Sequence, residues 1–139
     1  MEFCKVKEVE FEDIDSLIYL CIPPESRNSL SLVEGANAKK KWVKKNLEIF
    51  GEVAKIACVN EAPAGLIQYQ PKLEEKLLEI TCIFVPDWRN QQRGVGKVLL
   101  NALIRDAEKP KPYFDNAPPL ALVTWAFSEP GYYPQTCSI

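Results

Sequence analysis

Residues 91–100 read QQRGVGKVLL and follow the apolar run LLEITCIFV. Gly94 and Gly96 therefore fall where a strand-like run gives way to helical spacing, with Arg93 and Lys97 beside them. The first turn of a helix carries backbone N–H groups without internal partners, and the aligned peptide dipoles place positive charge there. Glycines at that point let the backbone turn tightly and approach an oxyanion, and the two cationic side chains add charge, so the spacing suits a phosphate cradle. It also fits an ordinary strand-to-helix turn in which glycine serves the chain's own conformation. A Walker A loop is excluded because position 91 is Gln and position 98, where a magnesium-binding hydroxyl would stand, is Val. The Rossmann fingerprint fails at position 99, which is Leu.

Other chemistry is bounded by what the chain lacks. It has no histidine, which removes Ser-His-Asp and Cys-His catalysis and leaves carboxylates, Tyr, Lys, Cys or water for proton transfer. Its five cysteines, Cys4, Cys21, Cys58, Cys82 and Cys137, are scattered without a Cys-x-x-Cys pair, so no metal-ligand spacing is present. Cys4, Cys58 and Cys82 lie in apolar runs and read as small core hydrophobes. A net charge of -2 argues against a nucleic-acid partner. No apolar run approaches the roughly 20 residues that span a bilayer, and no basic segment leads into an apolar one, so the chain reads as cytoplasmic. With 139 residues, 47% of them hydrophobic, one domain over 1–139 is expected.

The elements that must hold the turn follow from periodicity. Residues 2–9 read as an edge-like strand, and Ile14, Leu17, Ile18 and Cys21 mark a first helix stopped by Pro23 and Pro24. A longer helix is expected from Ser31 to about Phe50, with an apolar stripe of Trp42, Val43, Leu47 and Phe50 and Gly51 as its terminator. On it, Lys39, Lys40, Lys41, Lys44 and Lys45 form a charge run that reads as a solvated face. VAKIACV and GLIQYQ are strand-like and joined by NEAPA as a hairpin turn. LLEITCIFV, residues 77–85, is the strongest strand; strict alternation puts Leu78, Ile80, Cys82 and Phe84 on one face and Glu79, Thr81, Ile83 and Val85 on the other. From Gly94 the period becomes helical, with Val95, Val98, Leu99, Ala102, Leu103 and Ala107 inward. KPKPYFDNAPP reads as a polar, proline-rich loop and LALVTWAF, residues 120–127, as a last strand, parallel to its predecessor because a helix intervenes. The fold class is α/β (α+β): a mixed central sheet flanked by helices in the order β-α-α-β-β-β-α-β.

Gln91-Gln92-Arg93-Gly94-Val95-Gly96, within VPDWRNQQRGVGKVLL, resembles the Gln/Arg-x-x-Gly-x-Gly/Ala motif of the GNAT superfamily of N-acetyltransferases. The element order over residues 1–127 is similar to that family too. The resemblance implies that backbone amides from Gln92 through Lys97 hold the pyrophosphate of acetyl-CoA, with Gln91 starting the cradle. It implies that Ile83, Phe84 and Val85 pair with the pantetheine arm as a strand would, where the fourth and fifth strands part. It further implies acetyl transfer to a primary amine by direct attack, with Glu79 resembling the family's strand glutamate that acts as general base and the Val85 amide as oxyanion donor. Glu79 also fits a surface carboxylate paired with a lysine on a neighbouring strand.

The chain departs from the family after the last strand, where the usual C-terminal helix and strands are missing or reduced. Tyr132 and Tyr133 are the tyrosines in the stretch where the family places its proton donor, although Pro130, Gly131 and Pro134 oppose a helix around them. They fit equally as anchors of a terminal loop. An uncovered last strand leads us to expect a homodimer through that strand or the C-terminal tail. Trp88 and Arg89 are placed in a loop before the cradle, covering the CoA phosphates or forming a surface turn, and Trp125 and Phe127 read as core or interface. Arg27, Asn28 and Tyr69 are candidates for an acceptor groove. Two other functions fit the sequence: a non-catalytic acyl-CoA-binding module, and a structural or interaction domain in which the glycine turn only shapes the chain.

Overall fold

The computed structural model describes residues 4–21 and 30–124. In chain order the elements are β1 (Cys4–Glu8), α1 (Ile14–Cys21), α2 (Leu30–Phe50), β2 (Ala54–Val59), β3 (Ala62–Lys72), β4 (Leu77–Phe84), α3 (Trp88–Gln92), α4 (Val95–Ala107) and β5 (Ala121–Thr124). The strands form one sheet in the order β1-β2-β3-β4-β5. The first four run antiparallel to their neighbours, and β5 joins β4 in parallel, as a crossover through α4 requires.

Each face of the sheet is covered by its own helical layer. Val95, Leu99 and Leu103 of α4 pack against Ile67, Tyr69 and Leu78, so the helical stripe read from the sequence is the buried one. On the other face, Ile14, Leu17 and Ile18 of α1 and Val43 and Leu47 of α2 pack against Ile56 and Leu66. The latter helix ends at Gly51, whose φ of 79° supplies the left-handed turn and whose N–H bonds the Leu47 carbonyl at 2.9 Å.

Four expectations are corrected. The hairpin turn is two residues, Asn60 and Glu61, both at positive φ (52° and 68°), and Ala62, Pro63 and Ala64 of NEAPA already belong to β3. A register shift opposite Ala57 and Cys58 makes Ala64 an extra residue, which explains how a proline enters the strand. The strict alternation of β4 fails as well. Gln68 faces Cys82 but Tyr69 faces Ile80, so Thr81 is an extra residue and the faces exchange beyond it. Leu78 and Ile80 pack in the α4-side core while Cys82 packs against the α1/α2-side core, and Ile83 and Val85 return to the α4 side.

The segment after the glycine motif's strand is not a plain loop: Trp88–Gln92 forms a helical turn capped by the Asp87 carboxylate, which accepts from the Arg89 N–H. KPKPYFDNAPP is likewise more than a polar connection. A 3₁₀ turn at Pro112–Phe114 buries Phe114, and Lys111 is 4% exposed. Its ammonium lies 2.9 Å from Glu52 and 3.0 Å from Asp106, while Lys55 bridges Asp106 and Glu8. The Tyr69 hydroxyl donates to Glu8 and that of Tyr113 to Glu52. This network ties β1, β2, β3 and the end of α4 to the segment that leads into β5. The three carboxylates of Glu8, Glu52 and Asp106 come within 4.8 Å of one another, and the two lysine ammonium groups compensate their charge.

Candidate functional site

Gly94 stands between the helical turn α3 and the long helix α4 as the N-cap of the latter, at φ 82° and ψ 24°, a left-handed conformation that a side chain would strain. Its own N–H donates to the Gln91 carbonyl at 3.2 Å, and the Arg93 N–H donates to Arg89 and Asn90. Those two amides are therefore already engaged, which narrows the expected cradle of Gln92 through Lys97. The amides of Val95, Gly96 and Lys97 precede the first internal acceptor of α4, since the Val98 N–H is the one that bonds the Gly94 carbonyl. These three amides belong to the first turn of α4, where the helix offers them no acceptor of its own.

Space at this point matches the need. A Cβ built on Gly96 would meet Val85 Cγ2 alone, at an ordinary 3.9 Å, so the protein's own packing does not require glycine there. What a side chain would fill is the approach to the open amides. Arg93 and Lys97 are exposed beside it, and Arg89 is ion-paired with Asp87 at 3.2 Å. Trp88 is 62% exposed. A polar cavity of about 300 Å³ between the β2–β3 hairpin and α3 is lined by Asn60, Arg89, Asn90 and Arg93, which extends the cationic surface away from α4.

Gln91 closes the loop that leads into this helix. Its side-chain amide donates to the Val85 carbonyl at 2.7 Å, so it fixes the distance between the end of β4 and α3. Beneath that junction runs Gly65 of β3. A Cβ there would lie 3.0 Å from Val85 Cγ2, 3.2 Å from the Phe84 carbonyl oxygen and 3.3 Å from Leu99 Cδ1. Its absence lets the strand pass under both the end of β4 and the cradle helix.

Glu79 lies on the α1/α2 side of β4, its side chain 16% exposed, with the Lys72 ammonium of β3 at 3.7 Å. The lysine partner considered from the sequence is thus present. The sheet pairing also limits what Glu79 can work with. Val85 stands six residues further along, which at about 3.3 Å per residue is more than 15 Å even with a bulge between them. One acetyl group cannot be served by both, so the Val85 amide does not fit as oxyanion donor for a base at Glu79. Val85 instead buries its side chain under the cradle. The β4–β5 register covers Leu77 to Ile80 opposite Ala121 to Thr124. Ile83 is partly buried and Phe84 42% exposed.

Tyr69 does not line an acceptor groove: it is 1% exposed on the α4 side, where burial and the nearby Glu8 push its pKa up. Cys4 is buried and Cys58 and Cys82 partly so, and burial pushes the Cys4 and Cys58 thiols up, in keeping with core packing. Tyr132, Tyr133, Trp125, Phe127, Arg27 and Asn28 lie outside the described residues.

Several solved structures share this architecture. An acetyltransferase of the GNAT family from Bacillus cereus ATCC 10987 superposes with a TM-score of 0.54 at 19% identity, covering 73% of this chain and 62% of that one. The chain has the GNAT acetyltransferase fold. AAC(6')-Iy, solved with the bisubstrate analogue CoA-S-monomethyl-acetylneamine, shows the same GNAT fold at a TM-score of 0.60 and 15% identity, over 91% of this chain and 81% of that one. A putative acetyltransferase from Pyrococcus horikoshii matches at a TM-score of 0.59 and 16% identity over 76% of this chain; the match spans 35% of that longer protein. Neither a family model nor a curated protein matches the sequence. Among the described residues, no helix is long and apolar enough to cross a membrane.

Proposed function

We propose that this chain, as a single domain, transfers an acetyl group from acetyl-CoA to a primary amine by direct attack. The observation that carries the reading is the start of α4: its first-turn amides stand behind a left-handed glycine, with Gly96 leaving the approach open. Acetyl-CoA, when bound, supplies an activated thioester acyl group. The amides of Val95, Gly96 and Lys97 donate to its pyrophosphate, and Arg93 and Lys97 add charge. The Ile83-Phe84-Val85 backbone offers its edge to the pantetheine arm. AAC(6')-Iy, bound to a CoA-containing analogue on the same fold, supports this assignment.

Glu79 takes the proton of the attacking amine, held in place by Lys72. The oxyanion donor belongs to the bulged segment Thr81–Ile83, close enough along β4 to share a substrate with Glu79. Tyr132 or Tyr133 returns a proton to the leaving thiolate. β5 ends the sheet order of the described residues, and a second copy pairing through that strand or the C-terminal tail completes a homodimer; a monomer in light scattering at high concentration overturns that part. The setting is cytoplasmic.

The test is acetyl-CoA-dependent thiol release across a panel of primary amines, with Glu79→Gln beside wild type. A general base contributes about 10²- to 10⁴-fold, so the variant loses at least about 100-fold in kcat and keeps its CoA affinity. CoA binding with no turnover on any amine selects the binding module instead. An active Glu79→Gln removes Glu79 from the mechanism.

A further inference from the structure

On the α1/α2 face of the sheet, polar side chains gather where the helical layer ends. Leu66 of β3 belongs to the core under α1 and α2, and Gln68 follows it on the same face with the period of a strand. On β4, Glu79 faces the same way, between Leu78 and Ile80 that face α4. No fully buried β4 residue belongs to the α1/α2-side core, and Cys82 packs at its margin. The helices therefore cover β2 and β3 and reach only the margin of β4.

Gln68 is 7% exposed at that margin. Its Nε2 donates to the Thr81 hydroxyl of the β4 bulge at 3.2 Å, and its Oε1 is buried with no hydrogen-bond partner among the described residues. A buried amide oxygen without a donor is costly for the fold. Its chemistry calls for an N–H, and with the Thr81 hydroxyl accepting from Nε2 the oxygen is the end left over. In the β3–β4 register Gln70 stands opposite Glu79, which puts Gln68 on the diagonal, about 7 to 8 Å from it between backbones. Both side chains leave the same face of the sheet, where one amine nitrogen can meet the two.

We infer that Gln68 binds the acceptor: its unpartnered side-chain oxygen receives an N–H of the amine that Glu79 deprotonates. The inference rests on the acetyl-transfer reading for the identity of the reaction. It assigns the acceptor's nitrogen to the Gln68 face of β3, opposite the face that holds Tyr69. A primary ammonium or amine, with two or more N–H groups, satisfies both acceptors at once, whereas a tertiary amine or an alcohol cannot.

The test is a titration of n-butylamine followed through the side-chain amide proton and nitrogen resonances of Gln68, with and without saturating CoA. Wild type is expected to bind saturably and shift the Gln68 signal, and Gln68→Met to bind at least tenfold more weakly. Thr81→Val, at an exposed position, is expected to weaken binding severalfold by freeing the amide, and it decides alone where Gln68→Met does not fold. Equal affinity in wild type and variants, or no saturable binding, overturns the inference. Because the titration without CoA reports on Gln68 by itself, failure of CoA binding is seen separately and counts against the acetyl-transfer reading.

Discussion

Gly65→Ala probes the packing that positions the cradle. The added methyl carbon lands 3.0 Å from Val85 Cγ2, 3.2 Å from the Phe84 carbonyl oxygen and 3.3 Å from Leu99 Cδ1, against a comfortable separation of about 3.5 to 4.0 Å. Val85 can yield by a few tenths of an ångström, but the Phe84 oxygen is strand backbone and moves only with β4. Overpacking of this kind costs about 1 to 3 kcal/mol. Replacing glycine in a strand by alanine returns about 0.5 to 1 kcal/mol through the unfolded state. The net loss is therefore at most about 2.5 kcal/mol and centred on about 1 kcal/mol, a fall in Tm of about 3 to 5 °C at that centre for a domain of this size.

Urea unfolding followed by tryptophan fluorescence measures it, and a double-mutant cycle locates the cause. Val85→Ala alone destabilises by about 2 kcal/mol through lost burial and a cavity, yet in the Gly65→Ala background it relieves the clash. The double variant should be more stable than the sum of the single effects predicts by about 1 kcal/mol. A Gly65→Ala protein as stable as wild type, or strict additivity with Val85→Ala, refutes the packing argument.

Gly96→Ala should raise stability by up to about 0.5 to 1 kcal/mol, because alanine is the better helix former and its methyl meets only Val85 Cγ2 at 3.9 Å; a lowered urea midpoint contradicts this. Lys111→Met should destabilise by about 3 kcal/mol, since it strips the half-buried carboxylates of Glu52 and Asp106 of a shared, buried cation. The same network sets a pH dependence. Burial opposes the Lys111 charge, but its hydrogen bonds to Glu52 and Asp106 prevail and raise its pKa. Its contribution is full below the unfolded value of about 10.4 and fades as pH rises through the folded value. Burial likewise opposes the Asp106 charge, and the Lys111 hydrogen bond with the Lys55 and Lys111 charges outweighs it, so its pKa falls. That contribution is full above about 3.9 and fades as pH drops through the folded value. Urea midpoints measured against pH should show a plateau between these limits, with the alkaline decline reduced in Lys111→Met.

The elements were legible where one physical signal dominated. The stripe of α4, the Gly94 turn and the parallel last strand followed from the change of period and the crossover rule. What stayed hidden depended on contacts between distant residues. The bulge at Thr81 changes no residue type along LLEITCIFV, yet it exchanges the faces of β4 beyond it. Tyr69 was a candidate groove residue, but in GLIQYQ neighbouring positions face opposite ways, and Tyr69 is the one buried on the α4 side while Gln68 faces α1 and α2. Lys111 looked like solvent-exposed polarity in a proline-rich loop; the carboxylates that justify its burial come from Glu52 and Asp106, one of them far away in the sequence. Gln91 was legible as the start of a motif, whereas its role in closing the loop on Val85 required the geometry.

The central claim is that the first-turn amides at the start of α4 hold CoA. Calorimetric titration of CoA into wild type and Gly96→Val tests it most directly, with urea unfolding of both proteins beside it, because a Cβ at Gly96 meets nothing closer than Val85 Cγ2 at 3.9 Å. Saturable binding at one site in wild type, weakened at least tenfold in a Gly96→Val protein that keeps a cooperative urea transition, is the predicted result. No binding in wild type, or equal affinity in the variant, contradicts the claim.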